Sequence, residues 1–193
     1  GFVRCITSAT DQGQGTLTGI QQVIAETLGV EYGDVTVEAG DGGATPYGGG
    51  AWASRGLALG GEAARLAATD LRDKILAIAA AITQELPKNL SMVTGKIFCD
   101  SKFLIDLPEL AQIVHFRQYT LPPDLDFEMN VTRHFLPREF PYFIANGIQA
   151  SYLEVDIGTG AIKLLEHWVV EDCGKVVNPL LVDEQLRGGI VQG

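Results

Sequence analysis

The sequence predicts an α+β fold of mixed sheets with packed helices, and three observations carry that expectation. Apolar residues recur at helical spacing over 17–28 and again over 71–86. Short β-branched runs stand before and after the first of these stretches, at 2–7 and 35–37. Two longer strand-like stretches, 149–157 and 162–171, flank Gly158-Thr159-Gly160, which reads as a hairpin turn. These segments follow one another irregularly, unlike the strict alternation of a wholly parallel sheet.

Taken in order, Phe2 to Thr7 is a short strand, and Ser8 to Gly15 is the loop that leaves it. Leu17, Ile20, Ile24 and Leu28 form one helical stripe, and Gly29 stands where a C-terminal cap belongs. Val35 and Val37 mark a second strand, and 40–50 carries six glycines in eleven residues, a loop by composition. The longest helix is expected from near Ser54 to just before Pro87. Leu71, Ile75, Ile78, Ile82 and Leu86 give its stripe, and Ala63, Ala64, Ala67 and Ala68 let its first half pack closely. Gly60-Gly61 makes its start irregular. Lys96 to Cys99 predicts a strand, and Asp106 caps a short helix through His115. Four prolines between Phe116 and Tyr142 predict a surface meander, with a strand near Phe127 to His134. Asn178-Pro179 ends a loop, and Leu180 onward starts the last helix.

At 193 residues, 46% hydrophobic and 20% charged, the chain can bury a substantial core. Its net charge of −10 argues against nucleic acid, whose phosphates call for basic residues. The longest strongly apolar stretch, Ile75 to Ile82, is about half of what crosses a bilayer, so no membrane partner is expected. Cys5, Cys99 and Cys173 are widely spaced and odd in number, which gives neither a disulfide framework nor a cluster motif. A reducing, cytoplasmic setting is the expectation. The chain opens on Gly1-Phe2-Val3 and closes inside an apolar segment at Gly193, so residues 1–193 are expected to be one partial domain of a longer polypeptide.

Three constellations carry chemistry. In Gly13-Gln14-Gly15-Thr16-Leu17-Thr18, two glycines let a ligand approach the backbone at a helix N-terminus, where amides favour an anion. Gln14 offers a donor and an acceptor to a heterocycle edge. An ordinary strand-to-helix turn would use the same residues. No lysine follows as in a phosphate-binding P-loop, and the third glycine, Gly19, falls one residue late for a dinucleotide fingerprint. The second, Gly48-Gly49-Gly50-Ala51-Trp52-Ala53-Ser54-Arg55, is another glycine loop entering a helix, a second anion cradle or a surface loop capped by Ser54. The third runs from Glu171-Asp172-Cys173-Gly174 through Asn178-Pro179 to Gln185 and Gln192-Gly193. Cys173 reads as a small buried residue at a strand end rather than a nucleophile, and Glu171 and Asp172 as solvated carboxylates. His115, His134 and His167 lack ligand spacing and read as structural. Arg117, Arg133 and Arg138 are solvated by default or hold an anionic substrate.

In this order, the motifs resemble the molybdenum-binding large subunit of the xanthine dehydrogenase, aldehyde oxidase and carbon monoxide dehydrogenase family. The matches are the 13–18 segment, Gly40-Asp41 with Thr45-Pro46-Tyr47-Gly48, and Gly50-Ala51-Trp52-Ala53-Ser54-Arg55. Tyr152-Leu153-Glu154-Val155-Asp156 with Thr159-Gly160, Glu171-Asp172-Cys173-Gly174, Asn178-Pro179, Gln185-Leu186-Arg187-Gly188-Gly189 and Val191-Gln192-Gly193 complete them. Between 87 and 147 the likeness is weaker.

The resemblance implies part of a larger molybdopterin-binding domain whose cofactor carries molybdenum, often in the cytosine dinucleotide form. Gly13, Gln14 and Gly15 would contact the pterin or its phosphates. Ala53, Ser54 and Arg55 would sit beside the molybdenum ligands and the phosphate, and Gln185 would bond the pterin. Trp52 stands where the family usually has a small residue, which narrows the substrate side. The implied reaction hydroxylates an aldehyde or N-heterocycle with oxygen from water, passing electrons to iron–sulfur and FAD subunits or domains. The family's general-base glutamate falls beyond the position of Gly193, so no catalytic residue and no side-chain metal ligand are expected here, and the piece alone would be inactive. The competing expectation is a non-catalytic phosphate- or nucleotide-binding or interaction module.

Overall fold

A computed structural model describes residues 1–45, 47–140 and 144–193. Pro46 of the Thr45-Pro46-Tyr47-Gly48 match and Pro141-Tyr142 of the proline-rich meander lie outside these. The architecture is α+β as expected: four α-helices and three small sheets among the described residues.

The N-terminal unit is a parallel crossover. Strand β1 (Val3–Ile6) leads through the 7–15 loop into helix α1 (Thr16–Leu28), and β2 (Val35–Glu38) returns parallel to β1, with Val3 opposite Val35 and Ile6 opposite Glu38. Ile20, Ile24 and Leu28, the predicted stripe, are buried. Gly29 ends α1 at φ 77°, and a β-carbon there would lie 2.3 Å from the Met92 carbonyl oxygen. Only glycine satisfies both the left-handed turn and that approach. The Gly29 carbonyl in turn accepts the Gly95 amide at 2.8 Å, stitching α1 to the second sheet.

Helix α2 (Glu62–Thr83) is preceded by a wider π-helical stretch, Gly56–Gly61, where the glycine pair loosens the start. Ala64 and Ala68 are buried, as are Ile75, Ile78 and Ala79 farther along. The helix stops at Thr83 because Gln84 turns left-handed, so Leu86, expected to extend the stripe, is 57% exposed.

A three-stranded antiparallel meander follows: β3 (Leu90–Val93), β4 (Lys96–Cys99) and β5 (Lys102–Asp106). Only β4 is expected from the sequence; β3 and β5 are four and five residues long, too short for their alternation to register. The Asp106 carboxylate accepts the Glu109 amide at 2.9 Å and caps helix α3 (Leu107–Phe116), as predicted. No strand forms over 127–134, which corrects that expectation. Phe127 and Met129 alternate because they pack their side chains on the core, and no neighbouring strand pairs with their backbone. Lys74–Asp126 (2.7 Å) and Arg133–Asp70 ion pairs hold the segment against α2.

The chain closes with the hairpin, β6 (Asn146–Val155) against β7 (Ile162–Asp172), and helix α4 (Pro179–Gln192). Asp156 accepts the Gly158 and Thr159 amides and fixes the predicted turn. None of residues 144–193 is fully buried, and Ile148, Trp168 and Val170 are more than half exposed. No helix among the described residues is long and apolar enough to cross a membrane.

Candidate functional site

Loops that leave parallel strands at their carboxyl ends are where open α/β units bind ligands. Both glycine motifs lie there: the 7–15 loop follows β1, and the 39–55 segment follows its partner β2. They touch at Gly48, where a β-carbon would fall 2.2 Å from the Ser8 carbonyl oxygen. The third motif joins from α4. The Asn178 side chain caps α4 by accepting the Leu181 amide (3.2 Å) and donates to Gln22 Oε1 on α1 (3.0 Å). Leu181 packs against Gly15, a β-carbon on which would lie 2.7 Å from the leucine methyls. Gln185 stands one turn farther along that face and is exposed. Thus Gly13, Gln14, Gly15, Ala53, Ser54, Arg55 and Gln185 belong to three segments that converge.

The first loop is ordered by a residue that sequence reasoning missed. The Asp11 carboxylate accepts the Gly13 amide (2.8 Å) with Oδ1 and the Leu17 amide (2.9 Å) with Oδ2. The chain thus sets a carboxylate of its own at this helix start. The Asp-x-Gly spacing of Asp11 and Gly13 is an Asx-turn signal that could have disclosed it. Partial burial pushes the carboxyl up, but bonds from the Leu17, Gly13, Gly15 and Thr16 amides outweigh it and hold the group below the usual aspartate range. The stabilisation is thus complete above the unfolded value of about 3.9 and is lost as pH falls through the lower folded value. The stability difference between wild type and Asp11→Asn, from urea unfolding, is expected to be constant above about pH 5 and to shrink below about pH 4.

Gln14 is also engaged: Oε1 accepts the Gln12 amide (2.6 Å) and Nε2 donates to the Thr10 carbonyl (3.3 Å). Each end keeps one unused bonding position. Gly13 has nothing within 4 Å of where a β-carbon would stand, so its backbone is open to a ligand.

The second loop differs. Gly49, Gly50, Ala53 and Ser54 all have positive φ, at 74°, 78°, 53° and 56°. For the non-glycine pair this is a strained conformation, of the kind that gathers at ligand sites. Ala53 and Ser54 are exposed, and among the described residues the amides of Ala51, Ala53 and Ser54 have no partner. The side chains around them hold the loop's shape. Trp52 Nε1 donates to the Gly49 carbonyl at 2.7 Å, Arg55 Nη2 donates to the Gly48 carbonyl at 2.5 Å, and the Arg55 guanidinium lies 4.4 Å from the centre of the Trp52 ring.

Other candidates contribute less. Cys173 is exposed, which corrects its reading as a buried residue. Burial raises the Cys5 thiol pKa, and burial with the Glu85 and Asp100 carboxylates raises that of Cys99, so neither is an activated thiolate. Arg133 is paired with Asp70. His167 bonds Ser151 through Nδ1 at 2.8 Å, on the hairpin. A cleft of about 600 Å³ opens away from the glycine loops, beside Glu26, Tyr32 and Arg72, and Arg72 there is bonded to the Thr27 carbonyl. Among the described residues no three His, Cys, Asp or Glu side chains group to hold a metal.

Comparison with known proteins shows the family to which the chain is similar. Residues 1–193 match the family described as a molybdopterin cofactor-binding domain. The nicotine 6-hydroxylase large subunit of Paenarthrobacter nicotinovorans is 30% identical over all of this chain and 24% of its own length. A putative xanthine dehydrogenase molybdenum-binding subunit of Escherichia coli is 32% identical over all of this chain and 25% of its own. The crystal structure of quinoline 2-oxidoreductase from Pseudomonas putida 86 superposes with a TM-score of 0.84 at 31% identity, over 98% of this chain and 24% of that one. The chain therefore spans about a quarter of the length of the relatives it matches.

Proposed function

The chain belongs to the molybdopterin cofactor-binding domain family of molybdenum hydroxylase large subunits, and from this we propose that it forms one wall of the cofactor site in a larger hydroxylase. The observation that carries the reading is the convergence of two glycine loops and the start of α4 at the carboxyl ends of β1 and β2.

The residues present fit such a group. Thr10 Oγ1, in the first loop, is buried without a partner, and the second loop offers unpaired amides beside the Ser54 hydroxyl. Gly13 would let the pterin approach the backbone, Gly15 would border it with its other side against Leu181, and Gln14 would offer its remaining donor and acceptor to the ring edge. Ala53 and Ser54 present amides to phosphate or to the oxygens around the metal, Arg55 keeps the loop in shape beside them, and Gln185 bonds the pterin from α4. When bound, the molybdenum cofactor, in its cytosine dinucleotide form, supplies the redox centre for hydroxylating an aldehyde or N-heterocycle. This chain's part is to bind and orient, and the proton-accepting glutamate lies outside it. Iron–sulfur and FAD subunits or domains take the electrons, and the assembly works in the cytoplasm.

The piece alone is inactive and does not retain the cofactor. Elemental analysis of the purified 193-residue chain is expected to find far less than one molybdenum per molecule, whereas the full-length polypeptide, co-expressed with its redox partners, holds close to one. One molybdenum per 193-residue chain would overturn the partial-site reading. None in the full-length protein, from a host that loads a known relative, would favour the phosphate-binding module.

The exposed hairpin supports the same reading, because apolar ribbon faces of this size are normally covered. In a Trp52→Phe background, Trp168 fluorescence is expected to be readily quenched by iodide in this chain and protected in the full-length protein. Equal quenching in both would show that the hairpin stays uncovered.

A further inference from the structure

Helix α4 has no fully buried residue, so burial in the core does not fix where it lies. Among the described residues, one side-chain hydrogen bond ties 144–193 to the rest of the chain: Asn178 Nδ2 donates to Gln22 Oε1 at 3.0 Å, and both side chains are half-buried. Asn178 Oδ1 accepts the Leu181 amide at 3.2 Å, so a single carboxamide both caps α4 and holds it to α1. One turn on, Leu181 meets the first loop, where a β-carbon on Gly15 would stand 2.7 Å from its methyls. Gly15 and Gln22 are about two turns apart on one face of α1, roughly 10 Å along its axis. Asn178 meets the farther point and Leu181 the nearer, so α4 runs back along α1 toward the loop. Gln185, one turn beyond Leu181 on the same face, is directed there with it.

We propose that Gln22 is a positioning residue for the cofactor wall: by orienting the Asn178 carboxamide it fixes where α4 begins, and so where Gln185 stands relative to the first loop. This rests on the cofactor reading and adds to it a residue that touches no ligand. Two contacts, Gln22 with Asn178 and Gly15 with Leu181, set the register and direction of a helix that the core does not hold. Without the Gln22 acceptor, Asn178 keeps its cap on the Leu181 amide but loses its hold on α1. The helix then stays formed and swings, and Gln185, farther along it, is displaced more than Leu181.

The test uses substitutions that keep or remove this one bond. Gln22→Leu removes the acceptor. Gln22→Glu keeps it, since a carboxylate oxygen also accepts from Asn178 Nδ2, and Asn178→Asp keeps it once the Gln22 amide turns to donate with Nε2. Combined, the two carboxylates face each other with no proton between them, and the bond is lost at neutral pH. In the isotopically labelled 193-residue chain, the nuclear Overhauser signal between the Leu181 methyls and the Gly15 α-protons is expected to weaken roughly twofold or more in Gln22→Leu and in the double variant. Each single carboxylate variant keeps it, and the double variant regains it below about pH 5, where one carboxyl recovers its proton. Gln21→Leu, at the neighbouring position whose amide bonds the Tyr32 carbonyl, leaves the signal unchanged. The urea midpoint stays close to wild type in all of them, because neither side chain belongs to the buried cluster. In the full-length protein, co-expressed with its redox partners, molybdenum per chain falls several-fold in Gln22→Leu and in the double variant and is retained in both single carboxylate variants.

An unweakened Leu181–Gly15 signal in Gln22→Leu, or an equal loss in Gln22→Glu, would overturn the proposal at the contact itself. A weakened signal with unchanged molybdenum would overturn the positioning role. No molybdenum in the wild-type full-length protein would overturn the cofactor reading and the role with it, and the Leu181–Gly15 signal would still decide separately whether Gln22 holds α4.

Discussion

Replacing Gly48 with alanine is expected to strip most of the molybdenum from the full-length protein while the 193-residue core stays folded. A β-carbon at Gly48 would stand 2.2 Å from the Ser8 carbonyl oxygen and 2.5 Å from the Ser8 β-carbon, both parts of the neighbouring loop rather than a flexible side-chain tip. The loops must separate to admit it, at a cost of about 1–3 kcal/mol. If that distortion falls on the bound state, affinity drops roughly tenfold or more. Gly160→Ala is the control. It imposes a left-handed strain at φ 73° in open space on the hairpin turn, away from both loops. Elemental analysis of the two variants side by side checks the expectation, and equal molybdenum in both would show that the two loops do not act together.

The largest effect on stability is expected at Ile78. It sits in the C-terminal half of α2 with no exposed surface, inside the cluster formed with Ile75 and Ala79 of α2, Leu28 of α1, Met92 and Ile97 of the meander, and Leu110 of α3. Ile78→Ala removes the transfer energy of the lost methyl groups and leaves a cavity where helices and sheet meet, a loss of about 2–5 kcal/mol. In urea the unfolding midpoint should fall with little change of slope. Leu86→Ala, on the same sequence stripe but 57% exposed, should change stability little.

That pair of leucine and isoleucine positions shows where the sequence is legible and where it stops being so. Helical period reports which face of a helix meets the core, so α1, α2 and α3 and their buried faces can be read directly. It does not report where the backbone leaves the helix, and Gln84, an ordinary helix former, turns left-handed where no glycine announces it. Strand alternation has the complementary weakness. It reports one-sided burial, which Phe127 and Met129 achieve without any hydrogen-bonded neighbour, while β3 and β5 pair with β4 in stretches too short to show a pattern. The hairpin was legible because its turn and both long arms carry independent signals.

At the site, the glycine motifs were legible as places where backbone comes close to something. What comes close was not. For Gly48 it is Ser8, for Gly15 it is Leu181, and both partners are far away in sequence or on another element. The filling of the first loop by Asp11 was hidden for a different reason: a motif lists donors, and only the folded loop shows which acceptor has reached them first.

The placement of the core also sets an order of events during synthesis. Among the described residues, every fully buried apolar residue lies at or before Leu121, and the flanking Leu125, Phe127 and Met129 pack against the cluster. A ribosome adding about 5–20 residues per second has therefore made everything the core requires before the hairpin is translated. Leu181, which closes against Gly15, and Asn178, which reaches Gln22, come last. The nascent chain can thus compact around α1 and α2 while the Gly15 side of the first loop still stands open, and that side is closed only when α4 emerges.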